Sequence, residues 1–262
     1  MKRVIFEKPN FEELTKKFTV VDMHSHTEAS HDCKNTIKAY ADKIKSLNIG
    51  CAVTDHDEIR GSLIIKKRYP KIFQVPGIEV TSKENKHILL YFNKHSDLEQ
   101  FYIKHILVNK KKHKTNAFRI RTLLKSEYIL DLAKDYNALR VFAHPMIKSE
   151  GMYGSMLKSK DFSLIKKIEG IEVINSTQSL KANAKSWAWA NLEKKNYTGG
   201  SDSHIIKTLG TTVTVAKGET SEEFLDKIRK NKNKVIGYTN HWKTELSTAR
   251  IIAKNKLTWS KS

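Results

Sequence analysis

The sequence predicts an α/β protein built on a parallel sheet or a (β/α) barrel, and three observations predict it. Short β-branched runs alternate with helical patterns along most of the chain, the order that gives parallel strands joined by crossover helices. The length, 262 residues, fits a barrel of roughly 250 residues as one unit. No internal repeat and no Pro- or Gly-rich linker divides the chain. A single domain over residues 1–262 is therefore expected.

The elements follow in order. "FTVVDMHSH" reads as a strand, and "TIKAYADKIKSLNIG" as a helix closed by Gly50. "CAVTDH" is a strand, followed by a helical "GSLIIKKRY" that stops at Pro70. "FQVPGIEVTS", "HILLYF", "ALRVFAHP", "GIEVINS" and "YTGGSD" are strand-like, with helical "SLIKKIE" and "KANAKSWAWANLEKK" among the later ones. "TTVTVAK", "SEEFLDKIRKN" and "KVIGYT" close the series as strand, helix and strand, and "SEEF" has the Ser-x-x-acid look of a helix start. One segment breaks the rhythm. Residues 93–126 are more than a crossover needs; from Lys104 to Lys125 they hold eight Lys/Arg and no acid, with Phe101, Tyr102 and Phe118 nearby. That pattern predicts a basic helical insertion above the barrel. The core then spans about 19–217, and about 218–262 forms the closing strand-helix-strand and a basic tail.

Composition narrows the classes. With 39% hydrophobic residues the chain can bury a core and is not of disordered composition. No apolar run approaches the roughly 18 residues of a membrane helix, and "MKRVIFEKPNFEEL" has no secretory character. The two cysteines, Cys33 and Cys51, have no metal-type spacing and read as free thiols of a cytoplasmic protein. The formal charge of +20 favours anionic partners, from a phosphorylated metabolite to nucleic acid, or a merely lysine-decorated surface.

Metal-ligand residue types gather at strand ends. In "DMHSHTEASHDC", His24 and His26 lie two apart on a strand and so share a face. Later strands end in His56 ("TDH"), Glu79 ("GIEV"), His144 ("AHP"), and Asp202 with His204 ("SDSH"); His87 instead opens "HILLYF". One strand histidine is ordinarily just a satisfied polar residue. Six of the 11 histidines recurring in this pattern call for convergence at the C-terminal mouth of a barrel, where catalytic groups lie.

With these residues in view, the chain resembles the PHP (polymerase and histidinol phosphatase) family of metal-dependent phosphoesterases. The resemblance rests on "HSHTEASHD", "TDHDEIRG", "PGIEVTS", "HILLYF", "AHP" and "GGSDSH" in that order, from about Val20 to about Lys217 apart from the insertion. It implies a distorted (β/α)7 barrel and a site for three divalent transition metal ions. His24, His26, Asp202 and Glu79 would hold one ion; Glu79, bridging, with His87 and His144 a second; Asp32, His56 and His204 the third. His31 competes with Asp32 for its place. Ions there would neutralise an ester's charge, lower the pKa of a water and stabilise the leaving oxygen; zinc, manganese and iron all suit such ligands.

His204 or Asp55 could pass a proton to the leaving group, although Asp55 could instead orient a ligand. Arg60 and Lys83, on loops after ligand strands, could grip the phosphate. Thr27 and Ser30 are expected to fix their loop through side-chain bonds to the backbone, Asp22 to orient an imidazole or sit as a buried strand-end acid, and Glu28 to be solvated. Glu58 departs from the Thr that many family members carry. The substrate is expected to be a phosphorylated small molecule or nucleotide. The alternatives are a nuclease or end phosphatase acting on nucleic acid, with the basic aromatic-flanked stretches as its track, and a non-catalytic binding module.

Overall fold

A computed structural model describes residues 3–112 and 120–239. Two five-stranded sheets carry the site. The first runs in the order β1 (Val4–Phe6), β12 (Lys234–Gly237), β11 (Thr212–Ala216), β2 (Thr19–Ser25), β3 (Gly50–Val53). The second runs β10 (Asn196–Gly200), β9 (Gly170–Asn175), β8 (Leu139–Phe142), β5 (His87–Tyr91), β4 (Gly77–Thr81). The ladders do not close on themselves, but single parallel bridges join the sheets at both seams: Ser25 with Ser203 at one, Cys51 with Gln74 and His56 with Glu79 at the other.

The architecture is mixed α/β, and its strand directions correct the expectation of a parallel sheet. The pairs β2–β3, β8–β9 and β9–β10 are parallel, whereas β5 runs antiparallel to both β4 and β8. The reversal has a local cause: β4 and β5 are joined by the tight turn Ser82–Lys86, with Asn85 at φ +59° and the Lys86 N–H donating to Ser82 Oγ. It also explains why His87 opens its strand. The start of β5 lies opposite the end of β4, with His87 paired to Thr81.

Helices cover the strands. α1 (Phe11–Thr15), α2 (Ile37–Leu47), α3 (Arg60–Arg68), α4 (His95–Phe101), α5 (Ser126–Lys134), α6 (Met152–Ser159), α7 (Leu180–Leu192) and α8 (Ser221–Arg229) fall between strands. Thr36 caps α2 by accepting from the Ala39 N–H, and Asn48 ends it in the left-handed conformation at φ +53°. The helix thus stops two residues before the expected Gly50, which opens β3; a Cβ at Gly50 would lie 2.6 Å from the Phe73 carbonyl oxygen. Period-two alternation sets the layers: on β5, Ile88 and Leu90 join one apolar cluster with residues of α5 and α6, while Leu89 and Tyr91 join another with Val21, Met23 and Phe224. "SLIKKIE" is a short 3-10 turn over Ser163–Lys167.

The insertion is helical only in its first half. α4 runs into a π turn (Tyr102–Ile106) and a 3-10 turn (Leu107–Asn109), after which the chain forms an antiparallel ribbon of β6 (Lys110–Lys112) and β7 (Ile120–Thr122). The basic tail from residue 240 and Phe118 lie outside the described residues. Among the described residues no helix is long and apolar enough to cross a membrane.

Candidate metal centre

Glu79, fully buried in β4, is the hub. Its two carboxylate oxygens face different groups. Oε1 lies 3.0 Å from His87 Nδ1 and 3.0 Å from His144 Nε2. Oε2 lies 3.2 Å from His24 Nε2, 3.4 Å from His26 Nε2 and 3.2 Å from His56 Nδ1. Asp202 Oδ1 stands 3.4 Å from His24 Nε2 and 3.1 Å from His26 Nε2. Asp32 Oδ2 completes the set, 3.1 Å from His204 Nε2 and 3.3 Å from His56 Nε2. All nine ligand candidates of the sequence analysis therefore come together.

The donor spacing suits cations. Four donors arranged tetrahedrally about an ion at ~2.0–2.2 Å stand about 3.3–3.6 Å apart. The contacts among His24, His26, Glu79 and Asp202 run from 3.1 to 3.4 Å. Overlapping triads from the same residues can each close on one ion: His26, His56 and His204; His24, His144 and Asp202; His24, His26 and Glu79; His56, Glu79 and His87.

Neighbours hold the donors in place. Glu172 on β9, 1% exposed, accepts from His24 Nδ1 at 2.9 Å and from the His144 backbone N–H at 2.7 Å. It fixes which His24 nitrogen faces Glu79, a carboxylate–histidine arrangement common around metals. Asn175 donates to both Glu172 Oε2 and Asp202 Oδ2, and the Asp202 carbonyl meets His204 Nδ1 at 3.0 Å, aiming Nε2 at Asp32. Glu172 is absent from the residues that the strand-end pattern singles out. Its signal was present, an acid inside the apolar run "GIEVIN", which a buried strand accepts only when the charge is paired. Two donors sit in the left-handed backbone region, His144 at φ +25° and Asp202 at φ +51°. Such strain is of order 1–3 kcal/mol per residue and gathers at functional sites.

Charge is concentrated here. Burial opposes ionisation of Glu79, Asp32 and Asp202, yet the surrounding imidazoles hold all three carboxyls well below the usual range. Burial also opposes protonation of His56 and His204, but Glu79 and Asp32 raise His56 to about 10, and Asp32 and Asp202 raise His204 to about 9. His26 is pushed down to about 3 by burial and by the His204 and His56 rings. Coordinating imidazoles are neutral, so a cation bound here takes the place of these protons.

The remaining candidates divide. Both oxygens of buried Asp55 are engaged by Thr27, Oδ1 by its N–H at 2.6 Å and Oδ2 by its hydroxyl at 2.7 Å. Asp55 thereby ties β3 to the loop after His26. Ser30 donates to Asp32 Oδ1 at 2.7 Å and accepts from the His56 N–H, so Thr27 and Ser30 do order this loop. Asp22 orients no imidazole: it accepts from the N–H groups of Ser201 and Gly210 and from the Ser201 hydroxyl, locking β2 to the turn that carries Asp202. Glu28, expected to be merely solvated, accepts from the Ile37 N–H at the start of α2. His31 sits with its ring centroid 5.4 Å from that of His56. Arg60 and Lys83 are exposed.

Comparison with known proteins finds likenesses of fold. Residues 181–233 match the PHP-associated family model, PHP_C. Among curated proteins no relative matches the sequence. Solved structures do. A two-domain protein from Bacteroides vulgatus containing a predicted PHP-like metal-dependent phosphoesterase aligns at TM-score 0.61 and 16% identity, over 91% of this chain and 69% of that one. Endonuclease Q, in complex with a 27-mer duplex bearing an abasic lesion, aligns at TM-score 0.65 and 20% identity, over 85% of this chain and 60% of its own. The lesion-specific endonuclease of Pyrococcus furiosus aligns at TM-score 0.63 and 20% identity, over 83% and 57%. The chain thus spans about three-fifths of these endonucleases, and at such identities the likeness is one of fold.

Proposed function

We propose that this chain, a member of the PHP family, is a metal-dependent phosphoesterase that hydrolyses a phosphate ester at a cluster of divalent transition metal ions. The observation that carries the reading is the Glu79 carboxylate, with two imidazoles on Oε1 and three on Oε2. A carboxylate so placed would be available to two ions at once. His24, His26, Asp202 and Glu79 would hold the first ion, Glu79, His87 and His144 the second, and Asp32, His56 and His204 the third. The mixed imidazole and carboxylate donors suit zinc, manganese or iron.

Bound cations supply charge neutralisation of the ester, activation of a water and stabilisation of the leaving oxygen. The protein's own groups orient and hold. Glu172 and Asn175 fix His24 and Asp202, and Ser30 fixes Asp32. Asp55 acts as a positioning residue through Thr27. With Nδ1 of His204 against the Asp202 carbonyl, its Nε2 is the atom through which it can ligate or pass a proton. Arg60 and Lys83 are the cations assigned to an incoming phosphate.

The seven strands β2, β3, β4, β5, β8, β9 and β10, joined at both seams by the parallel bridges, favour a distorted (β/α)7 barrel as the frame. Because β11 and β12 extend the same sheet as β2, we read the chain as one domain. The substrate is a phosphorylated small molecule, a nucleotide or nucleic acid.

The test is hydrolysis by the Mn²⁺-supplemented protein across phosphorylated metabolites, a 3′,5′-bisphosphonucleotide and short 5′-phosphorylated RNA and DNA. Turnover of at least one of these, abolished by Asp202→Ala, is expected. Metal bound but every ester intact would leave a binding module instead.

A further inference from the structure

Among the described residues the insertion is a large feature that no ligand motif accounts for. Its ribbon is fastened on two sides to the loops that carry the site. On one side Lys110 Nζ lies 3.3 Å from Glu58 Oε2 and donates to the Tyr102 hydroxyl at 3.1 Å, 5.3 Å from that ring's centroid. Glu58 stands two residues past His56. Its other oxygen accepts the Ile59 and Arg60 N–H groups. The acid that departs from the family pattern is therefore consumed as an anchor rather than offered to a substrate.

On the other side Arg121 Nη1 donates to the Lys83 carbonyl at 3.3 Å and the Lys83 N–H to the Leu124 carbonyl at 2.8 Å. The Ser126 N–H is held by Glu84. Lys83 stands two residues past Thr81, the cross-strand partner of His87. Arg60, Lys83, Lys104 and Lys125, each within two residues of one of these anchors in sequence, are exposed. Val108 is 70% and Tyr128 59% exposed.

A lone phosphate group needs only one or two cations. Several exposed cations close in sequence to exposed apolar and aromatic side chains suit a chain of phosphates with bases attached. We propose that this rim guides a nucleic-acid strand to the cluster, with Glu58 and Lys110 as the positioning pair that holds the ribbon against the site. The inference rests on the phosphoesterase reading and names its substrate class.

The experiment uses the full chain loaded with Mn²⁺. It measures hydrolysis of bis(p-nitrophenyl) phosphate and of 5′-phosphorylated 3-mer and 15-mer oligonucleotides, and fluorescence anisotropy of a labelled 15-mer. The 15-mer is expected to show a KM about 10-fold below that of the 3-mer, the gap closing as salt rises. Lys110→Met removes that advantage and weakens 15-mer binding, keeps kcat on the small ester within about 2-fold, and is rescued by Lys110→Arg. A wild-type KM indifferent to length overturns the proposal. So does a Lys110→Met variant that loses kcat on both substrates alike, which is the signature of a merely structural residue. If no ester is hydrolysed, the phosphoesterase reading fails, and the effect of Lys110→Met on 15-mer binding still decides the role of the rim.

Discussion

At the floor of the site, eight side chains gather with one buried carboxylate, Glu79, as their hub; at its rim, a basic ribbon is tied down by Lys110 and by the backbone of Lys83. The floor is rigid because strand ends place its side chains and every carboxylate is shared among imidazoles. The rim is an appendage whose position depends on a few polar contacts, one of them an ion pair with side chains 16% and 23% exposed. The difference teaches where chemistry and selectivity reside. A change in the floor should abolish hydrolysis of any ester, whereas a change in the rim should alter only which ester is preferred.

The sharpest way to break that division is to crowd the floor without touching a donor. A Cβ at Gly200 would stand 2.3 Å from the His24 backbone nitrogen, so Gly200→Ala must displace β2 or β10. Overpacking of this kind costs about 1–3 kcal/mol, and it shifts His24 and Asp202 together. The expected outcome is loss of hydrolysis on small and long substrates alike, with Tm lowered by several degrees, read by thermal denaturation and kinetics. A smaller effect belongs to Glu172→Gln. It keeps the shape but removes the charge that holds the His24 imidazole, and metal affinity is expected to fall about 10- to 100-fold, measured by competition with a chelator.

The same division decides how much the sequence alone revealed. The floor could be read because a ligand at a strand end follows an apolar run: "VVDMHSH", "AVTDH", "GIEV" and "VFAH" each pair a packing signal with a chemical one. His87 opens its strand, and only the reversal of β5 brings that start beside the end of β4. Nothing local in "TSKENKH" distinguishes a tight antiparallel turn from the beginning of a crossover. Asp55 and Asp22 carry the same buried strand-end signature as the candidate ligands, and only three-dimensional packing shows Thr27 and Ser201 occupying their oxygens. The ribbon reads as helix from its sequence because basic residues punctuate either structure equally well. Its strand form is set by cross-strand pairing of Lys110 with Thr122 and by docking on Glu58 and Lys83.

The central claim is that the floor binds cations, and calorimetric titration of the metal-stripped protein with Zn²⁺ or Mn²⁺ in buffers of different ionisation enthalpy tests it most directly. His56 and His204, raised to about 10 and about 9, carry protons at pH 7.5 in the metal-free chain. Because coordination requires neutral rings, affinity should climb with pH towards about 9 and be lost as pH falls. The account predicts saturable binding of more than one ion per chain with at least two protons released at pH 7.5, and a lower ion count in Glu79→Gln. No binding above the buffer blank, or binding that releases no protons and is untouched by Glu79→Gln, would contradict it.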